Sequence, residues 1–588
     1  MKKSYIYKGI AALAMAFTLS ACSDFLDKEP SNDLTGEQTF SDWVTMEQFH
    51  WDTYNFLLNG ECRVNGSWLD AATDLAECAV SSSGTRNSFN IGNYQTTLDE
   101  YNNYNGAGAA ELTTPFESRY RGIRKCNMLL ARIDGVPQPT DIDQATYEAR
   151  KNYYKGEAMT LRVWFYWELF LRYGPLPIVQ EVLNPDGDLL SNYKTRPSVK
   201  DYTDWLITEL DAAFPLVMDK ATEAESGNQG RINKPIVKAL KSRILLYLAS
   251  PRYAAESGRT WQEAADAAKD FIDSYDGTYQ LMDNYTNAIL YNTYTQSNTE
   301  TIFFRNDVSQ GWGSYGYYID VPVGEGGNGG LCPSQNLIDM YDMANGLSPF
   351  TTYDATGAPV YTSSTACPAV AAGTYYDDTR AVAGRDPRLT ATVLYNGIAW
   401  NGRTLNMVRG GEDNPIGNAN ATPTGYYTRK YMPEEILINN HSGNSYRNWI
   451  YIRYAEILLN YAEALNEVNF TANRATINNL LDQIRHRGGI TGNMSSRTDL
   501  NTQEKMRNFI HKERTVELAF EEHRWWDVRR WNVAKEALGR DIYGVEVASN
   551  GTITRKVAQK RVFEDRMYLY PIPEGEVWKT SIENNPGW

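Results

Sequence analysis

Five histidines, His50, His441, His486, His511 and His523, are scattered along 588 residues, and none falls in HExxH or another metal-ligating spacing. No GxSxG elbow is available to expose a serine nucleophile. The run Gly324-Glu325-Gly326-Gly327-Asn328-Gly329 matches GxGxxG in letters. A dinucleotide site needs that run between a strand and a helix N-terminus, and neither flank is evident, so the stretch reads as a flexible loop. Asn184, Asp186 and Asp188 alternate as calcium-loop ligands do, but no glutamate closes the loop and a simple Asp-Gly turn accounts for them. Glu513, Glu517 and Glu521 recur every four residues beside Arg514, Arg524, Arg529 and Arg530. A charge network between packed helices explains that stripe better than catalysis does. Glycoside hydrolysis needs two carboxylates across one bond, and among 72 acidic residues none stands out as a pair. The sequence therefore predicts no catalytic residue, no metal site and no cofactor.

What remains is aromatic rings and one cysteine. Residues 275–318 hold 11 aromatic side chains in 44 positions, twice the chain average of 12%. Phe303 and Phe304, in ETIFFR, read as a packed strand. Trp312, Tyr315, Tyr317 and Tyr318, in GWGSYGYY, are the sharper candidates. Their glycine neighbours oppose helix formation and keep rings outward, where flat sugar faces stack on them at little cost in side-chain entropy. The competing reading is that these rings pin the loop onto the body. A second candidate surface is 81–104, where Arg86 and Asn87 are donors for sugar hydroxyls and Tyr94 is a stacking ring. Trp68, ahead of the helical-looking DAATDLAE, reads as core.

The cysteine is Cys22. Lys2, Lys3 and Lys8 precede an apolar run from about Ile10 to Leu19, too short to cross a bilayer and of the length of an export signal. Leu19-Ser20-Ala21-Cys22 then has the form of a bacterial lipobox. In such signals the thiol receives a diacylglycerol, cleavage frees the cysteine, and its amine is acylated. Each buried acyl CH₂ contributes about 0.8 kcal/mol, and three chains hold a protein firmly. Residues 1–21 are thus expected to be a signal peptide and 22–36 a polar tether, ending near the capping-box-like Thr35-Gly36-Glu37-Gln38. Cleavage removes three lysines and no acid, taking the net charge from −15 to −18. Such a body does not adhere to anionic lipid through basic patches and lacks the basic face of a nucleic-acid binder. The other cysteines, Cys62, Cys78, Cys126, Cys332 and Cys367, are odd in number and widely spaced, so buried free thiols are expected.

Helical periodicity dominates the segments that must position these groups. Residues 151–171 set Ala158, Leu161, Phe165 and Leu169 on one face, and 233–250 set Val237, Leu240, Ile244 and Leu248 on another before Pro251. With 261–272 the latter forms a hairpin; 449–467 with 473–488 forms a second, and 503–522 with 523–538 a third. Within 449–467, Arg453 and Glu456 are expected to pair at i,i+3 beside an apolar stripe, worth a few tenths of a kcal/mol if exposed. Alanines at close-packing positions give the hairpins a tetratricopeptide-like look without a strict repeat. Small β-hairpins are expected in 351–362 and 390–405, and long loops in 81–110 and 305–335.

Several segments, in order from Cys22 to Trp588, resemble the SusD/RagB family: CSDFLDKEP, GEAMTLRVWFYWELFLRYGPLPIV, KALKSRILLYLASP, GRDPRLTATVLYNG, GYYTRKY, IRYAEILLNYAEALNE, ERTVELAFEEHRWWDVRRW and YLYPIPEGE. The resemblance implies a mainly α fold, a tetratricopeptide-like helical-hairpin scaffold with a loop-rich binding region of small β-hairpins. It implies an outer-membrane, surface-exposed lipoprotein that binds oligosaccharides or polysaccharides as the lid of a SusC-type TonB-dependent transporter. The expected organisation is an N-terminal helical region at 37–225 and a C-terminal region at 226–588, with binding loops inserted at about 275–450 and the whole one compact unit. A peptide-capturing lid, a surface glycosidase and a purely structural lid are the alternatives. If Cys22 is the anchor, cells fed an alkyne-tagged palmitate are expected to label the wild-type chain, and Cys22→Ala to abolish the label in a gel-fluorescence assay.

Overall fold

The computed structural model describes residues 36–57, 60, 67–80, 83, 85–93, 115–184, 193–225, 227–290, 298–305, 310–311, 320–361, 367–432, 444–445 and 449–588. Helices carry most of it, and their starts are set by side-chain caps. Helix α1, Trp43–Thr53, begins where Asp42 accepts the Thr45 N–H at 3.0 Å. Helix α2 is Pro115–Arg132. Helix α3, Gln144–Tyr173, is capped by Asp143 and ends at Gly174. Helix α4, Val199–Ala213, starts at Ser198. Helix α5, Lys234–Ala249, starts at Asn233, and α6, Trp261–Ser274, at a Thr260–Glu263 capping box. Such caps contribute about 1 kcal/mol each by satisfying otherwise orphaned N–H groups.

The helices pack as consecutive hairpins: α2 on α3, α3 on α4, α5 on α6. From Ala158 onward α3 is buried nearly all round, with Trp164, Phe165, Tyr166, Trp167 and Phe170 under 5% exposed. This is the signature of a helix in the middle of a layer. Gly156 sits inside it because a Cβ there would lie 2.8 Å from the Val217 backbone nitrogen. The close approach of that connection outweighs the helix penalty of about 1 kcal/mol for glycine.

Helix α7, Tyr454–Arg487, lies against α6 and is broken at Asn469, whose φ of −167° and ψ of 93° are extended. The Asn469 side chain accepts the Ala472 N–H at 3.0 Å and so caps the second half. The two helices expected here are therefore present, but the first begins later than its periodicity implies. Trp449–Arg453 is a strand, because Ile450 and Ile452 pair across to Phe304 and Phe303. Helix α8, Gln503–Glu517, packs on α7. It stops five residues short of the expected 522: Phe520 and Glu522 take φ of 64° and 63° before α9, His523–Arg530.

The described strands form six antiparallel pairs. Strand β1, Ala76–Cys78, pairs with β3, Leu331–Pro333; β2, Thr301–Arg305, with β4, Trp449–Arg453; and β5, Ile542–Val547, with β6, Ile553–Gln559. The DAATDLAE stretch is not helical: it is a 3₁₀ turn, Leu69–Ala72, running into β1, and every residue of it is buried. The expected hairpin in 390–405 is Ala399–Trp400 against Arg403–Thr404, and a Tyr353–Pro359 bridge closes the one in 351–362. One buried apolar cluster takes residues from Phe40 to Ile582, and a small second cluster around Trp400, Met407 and Tyr427 underlies the loop-rich side.

The glutamate stripe of α8 is buried, not exposed. Arg453, 1% exposed, uses all five guanidinium hydrogens: Nη1 donates to Glu300 and Glu517 at 2.7 Å, Nε and Nη2 donate to Glu521 at 2.7 and 2.8 Å, and Nη2 also donates to the Glu517 carbonyl at 2.7 Å. Glu456, the partner expected for Arg453, instead pairs with Arg243 at 2.5 Å. Glu517 further accepts from Arg388 at 2.8 Å and from Arg487. Against the upward push of burial, Arg487, Arg453 and Arg388 hold the Glu517 carboxyl far below the usual carboxylate range. Glu517→Ala is expected to cost about 3–5 kcal/mol in urea denaturation, since three buried guanidinium groups lose a partner. Asp273→Ala, breaking the exposed Lys269–Asp273 pair, is expected to leave the urea midpoint close to that of wild type.

Candidate functional site

Three buried rings form a floor. Trp68 meets Tyr431 at 5.4 Å and Trp449 edge-on at 5.7 Å, while Tyr431 and Trp449 stack at 5.7 Å and 18°. Trp68 is core, as its position ahead of a buried turn implies, and its indole N–H donates to both Asp320 oxygens at 3.1 Å. At position 60 a Cβ would collide with the Trp449 ring, so only glycine passes there. Arg305, opposite Trp449 across β2 and β4, donates to the Leu57 carbonyl at 2.7 Å. Gln310–Gly311 pairs with Asn444–Ser445. The described residues that flank segments 61–66, 312–319 and 433–443 are thus brought to one place by two strand pairs and one indole.

Of the sequence-predicted residues, Trp312, Tyr315, Tyr317, Tyr318, Tyr94, Cys22 and Cys62 lie outside the described residues. The described flanks of 312–319 are Gly311, in its two-residue ladder, and Asp320, clamped by Trp68. Arg86 and Asn87 lie in a π-helical turn, Thr85–Phe89. Arg86 is half-buried: its Nη1 donates to the Ala79 carbonyl at 3.1 Å and its own carbonyl accepts from Gln559 at 2.8 Å. One guanidinium nitrogen thus ties the turn to the residue that follows β1. Asn87 is exposed.

The other chemistry-bearing residues are structural. His50 bonds Glu157 at 2.8 Å, and His511 stacks on Trp531 at 3.6 Å with burial pushing it down to about 4. Burial, reinforced by Arg514 and Arg243, also lowers His523. The 324–329 glycine run is a pinned loop and not a flexible one, since buried Glu325 pairs with Arg403, which also grips Asp413 at 2.5 Å. Cys78, Cys126 and Cys332 are buried free thiols, while Cys367 is partly exposed. The Asp186 and Asp188 turn lies outside the described residues.

Beside Tyr431 opens a cavity of about 580 Å³ that the sequence reading missed. Arg388 from Pro387–Thr392, Arg429 and Lys430 beyond Tyr427–Thr428, and Arg487 at the end of α7 line it. Lys430 donates to Glu521 and the Ala519 carbonyl at 2.7 Å and to the Tyr285 hydroxyl at 2.8 Å. Three of these basic residues, Arg388, Arg429 and Lys430, stand in the family-like segments GRDPRLTATVLYNG and GYYTRKY, which gave no sign that they meet in space.

Consecutive helical hairpins beside a cluster of buried rings define a mainly α-helical scaffold of SusD-like type. The chain belongs to the SusD family, whose model matches residues 261–588. A second model, described as starch-binding associating with outer membrane, matches residues 24–246. SusD-like protein P2 of Formosa agariphila is 34% identical over 163 residues, 27% of this chain, and the match spans only 30% of that relative's length. A SusD-like protein of Bacteroides fragilis superposes with TM-score 0.73 at 24% identity, covering 94% of this chain and 98% of that one. A SusD-like carbohydrate-binding protein of the same strain gives 0.70 at 23% identity over 92% and 98%. Among the described residues no helix is long and apolar enough to cross a membrane, and no group of three or more His, Cys, Asp or Glu side chains is arranged to hold a metal ion.

Under the floor lies a strained carboxyl contact. Asp70, fully buried, accepts the N–H of Glu522 at 3.1 Å, and Glu522 holds φ of 63°. Burial, joined by the Glu522 and Glu521 charges, raises the Asp70 carboxyl from 3.8 to about 7. The folded chain keeps a proton there that the unfolded chain releases. This stabilisation is complete below about pH 4 and is lost as pH rises through about 7. Asp70→Asn, an amide in place of the protonated acid, is expected to match wild type near pH 4 and to exceed it at about pH 8 by on the order of 2–4 kcal/mol in urea denaturation.

Proposed function

We propose that the chain is a non-catalytic, cell-surface glycan-capture lipoprotein that binds oligosaccharides and passes them to a partner TonB-dependent transporter of the SusC type in the outer membrane. Membership of a family with a model described as starch-binding associating with outer membrane supports this reading, and carries it. The carbohydrate-binding name of a structural relative accords with it. Cys22 is the lipid anchor in this reading, and the tether from Cys22 to Gly36 keeps the body close to the membrane. Trp312, Tyr315, Tyr317 and Tyr318 stack on sugar rings, aided by Tyr94 and Asn87. Asp320, the described residue that follows these rings in the chain, is held by the Trp68 indole.

A few stacked rings give micromolar to millimolar affinity, which corresponds to about 4–8 kcal/mol and leaves release fast enough for hand-over. Affinity electrophoresis of the soluble form starting at Ser23 through gels cast with a polysaccharide panel tests this. Retardation by at least one polysaccharide is expected, and Trp312→Ala or Tyr315→Ala is expected to weaken it by about threefold to tenfold. Free migration of wild type in every gel, or shortened glycan products after incubation, would sink the proposal.

A further inference from the structure

Helix α1 turns two large apolar side chains to solvent. Val44 is 56% exposed and Trp51 46%, and their spacing of seven residues puts them on one face, about 10 Å apart along the axis. The opposite face carries Trp43, Met46, His50 and Thr53 into the core. The helix is locked in that orientation: Glu47 accepts from the Tyr154 hydroxyl at 2.6 Å, His50 bonds Glu157 at 2.8 Å, and Lys125 donates to Asp52 at 2.6 Å. An indole displayed on a fixed helix, with an apolar ring and one N–H, suits the boundary between acyl chains and headgroups.

What precedes the helix bears on what meets that face. The 14 residues from Cys22 to Thr35 reach no further than about 50 Å even fully drawn out. A compact body of this length is about 60 Å across, so the surface where the tether enters is the one held nearest the bilayer. That entry is beside α1. Gly36 lies against the end of α2, where a Cβ would stand 2.7 Å from Nη1 of Arg132, and Phe40 packs edge-on against Phe49 of α1 at 5.3 Å.

We infer that the Val44 and Trp51 face of α1 rests on the lipid surface that holds Cys22, with both side chains seated at the headgroup boundary. This rests on the lipid-anchor part of the capture reading and adds an orientation to it. The contact is apolar, because a chain with 72 acidic and 57 basic residues has no surplus of cations to offer anionic lipid. Two side chains do not hold a free protein on a membrane. On a tether the contact is intramolecular, and an effective concentration on the order of millimolar lets it set which way the body faces.

The full lipidated chain, floated with phosphatidylcholine vesicles that contain a diazirine-bearing phosphatidylcholine, tests this when its photo-crosslinks are mapped by mass spectrometry. Outside the lipidated peptide, the segment holding Val44 and Trp51 is expected to carry most of the label, equally at about 0.05 and 0.5 M salt. Val44→Gln combined with Trp51→Gln is expected to lower that label about fivefold while flotation through Cys22 persists. Trp578→Gln, at an indole 76% exposed elsewhere on the surface, is expected to leave it unchanged. Label confined to the lipidated peptide, label spread over the body without preference for α1, or a yield lost at high salt would overturn the inference alone. In outer membranes loaded with the same probe, loss of the α1 label would give the face to a protein partner and overturn it as well. A chain that fails to float would remove the lipid-anchor reading, and this inference with it.

Discussion

The fold turns on the cost of placing charge where water cannot reach. A guanidinium and a carboxylate taken out of water each lose several kcal/mol of hydration, and only saturated, short-range pairing returns it. Arg453 meets that condition with five donated hydrogen bonds, and Glu517 accepts from Arg388, Arg453 and Arg487. These partners come from the end of a strand, the end of α8, the end of α7 and an excursion near residue 388. No partial arrangement satisfies them, so the network specifies how the hairpins and the loop-rich side sit on each other, beyond what apolar packing alone would dictate.

Around this point the work divides. The hairpins α2 to α8 supply burial, with α3 enclosed by neighbours and the alanines of α6 and α7 letting backbones approach. The irregular half is fixed to the scaffold by short ladders and by Trp68 with Asp320. The cavity beside Tyr431 borders the same network, since Arg388, Lys430 and Arg487 line it and pair with Glu517, Glu521 and Glu300.

Much of the helical scaffold was legible because it follows local rules. Apolar periodicity located the hairpins, Asn469 divided α7 where the pattern lapses, and ETIFFR declared its strand. The misreadings have physical causes. Arg453 and Glu456 look like local partners at i,i+3, yet each pairs instead with residues 64 to 213 positions away, which no single-sequence rule can reach. DAATDLAE is rich in helix formers, but full burial between β3 and α9 overrides propensity and leaves a 3₁₀ turn and a strand. The end of α8 carries no glycine or proline; Phe520 and Glu522 adopt left-handed backbone because tertiary contacts hold them there. The cavity was invisible because its four basic residues come from three distant segments.

The clamping of the loop stems has an evolutionary reading. With Asp320 tied to Trp68 and Gln310–Gly311 laddered to Asn444–Ser445, the two described ends of the span between them are both fastened to the scaffold. Its contents are open to exchange or lengthening without disturbing the chassis, since loop-closure entropy grows only slowly with length. Insertions between two fastened ends are thereby tolerated by a scaffold that need not change to receive them.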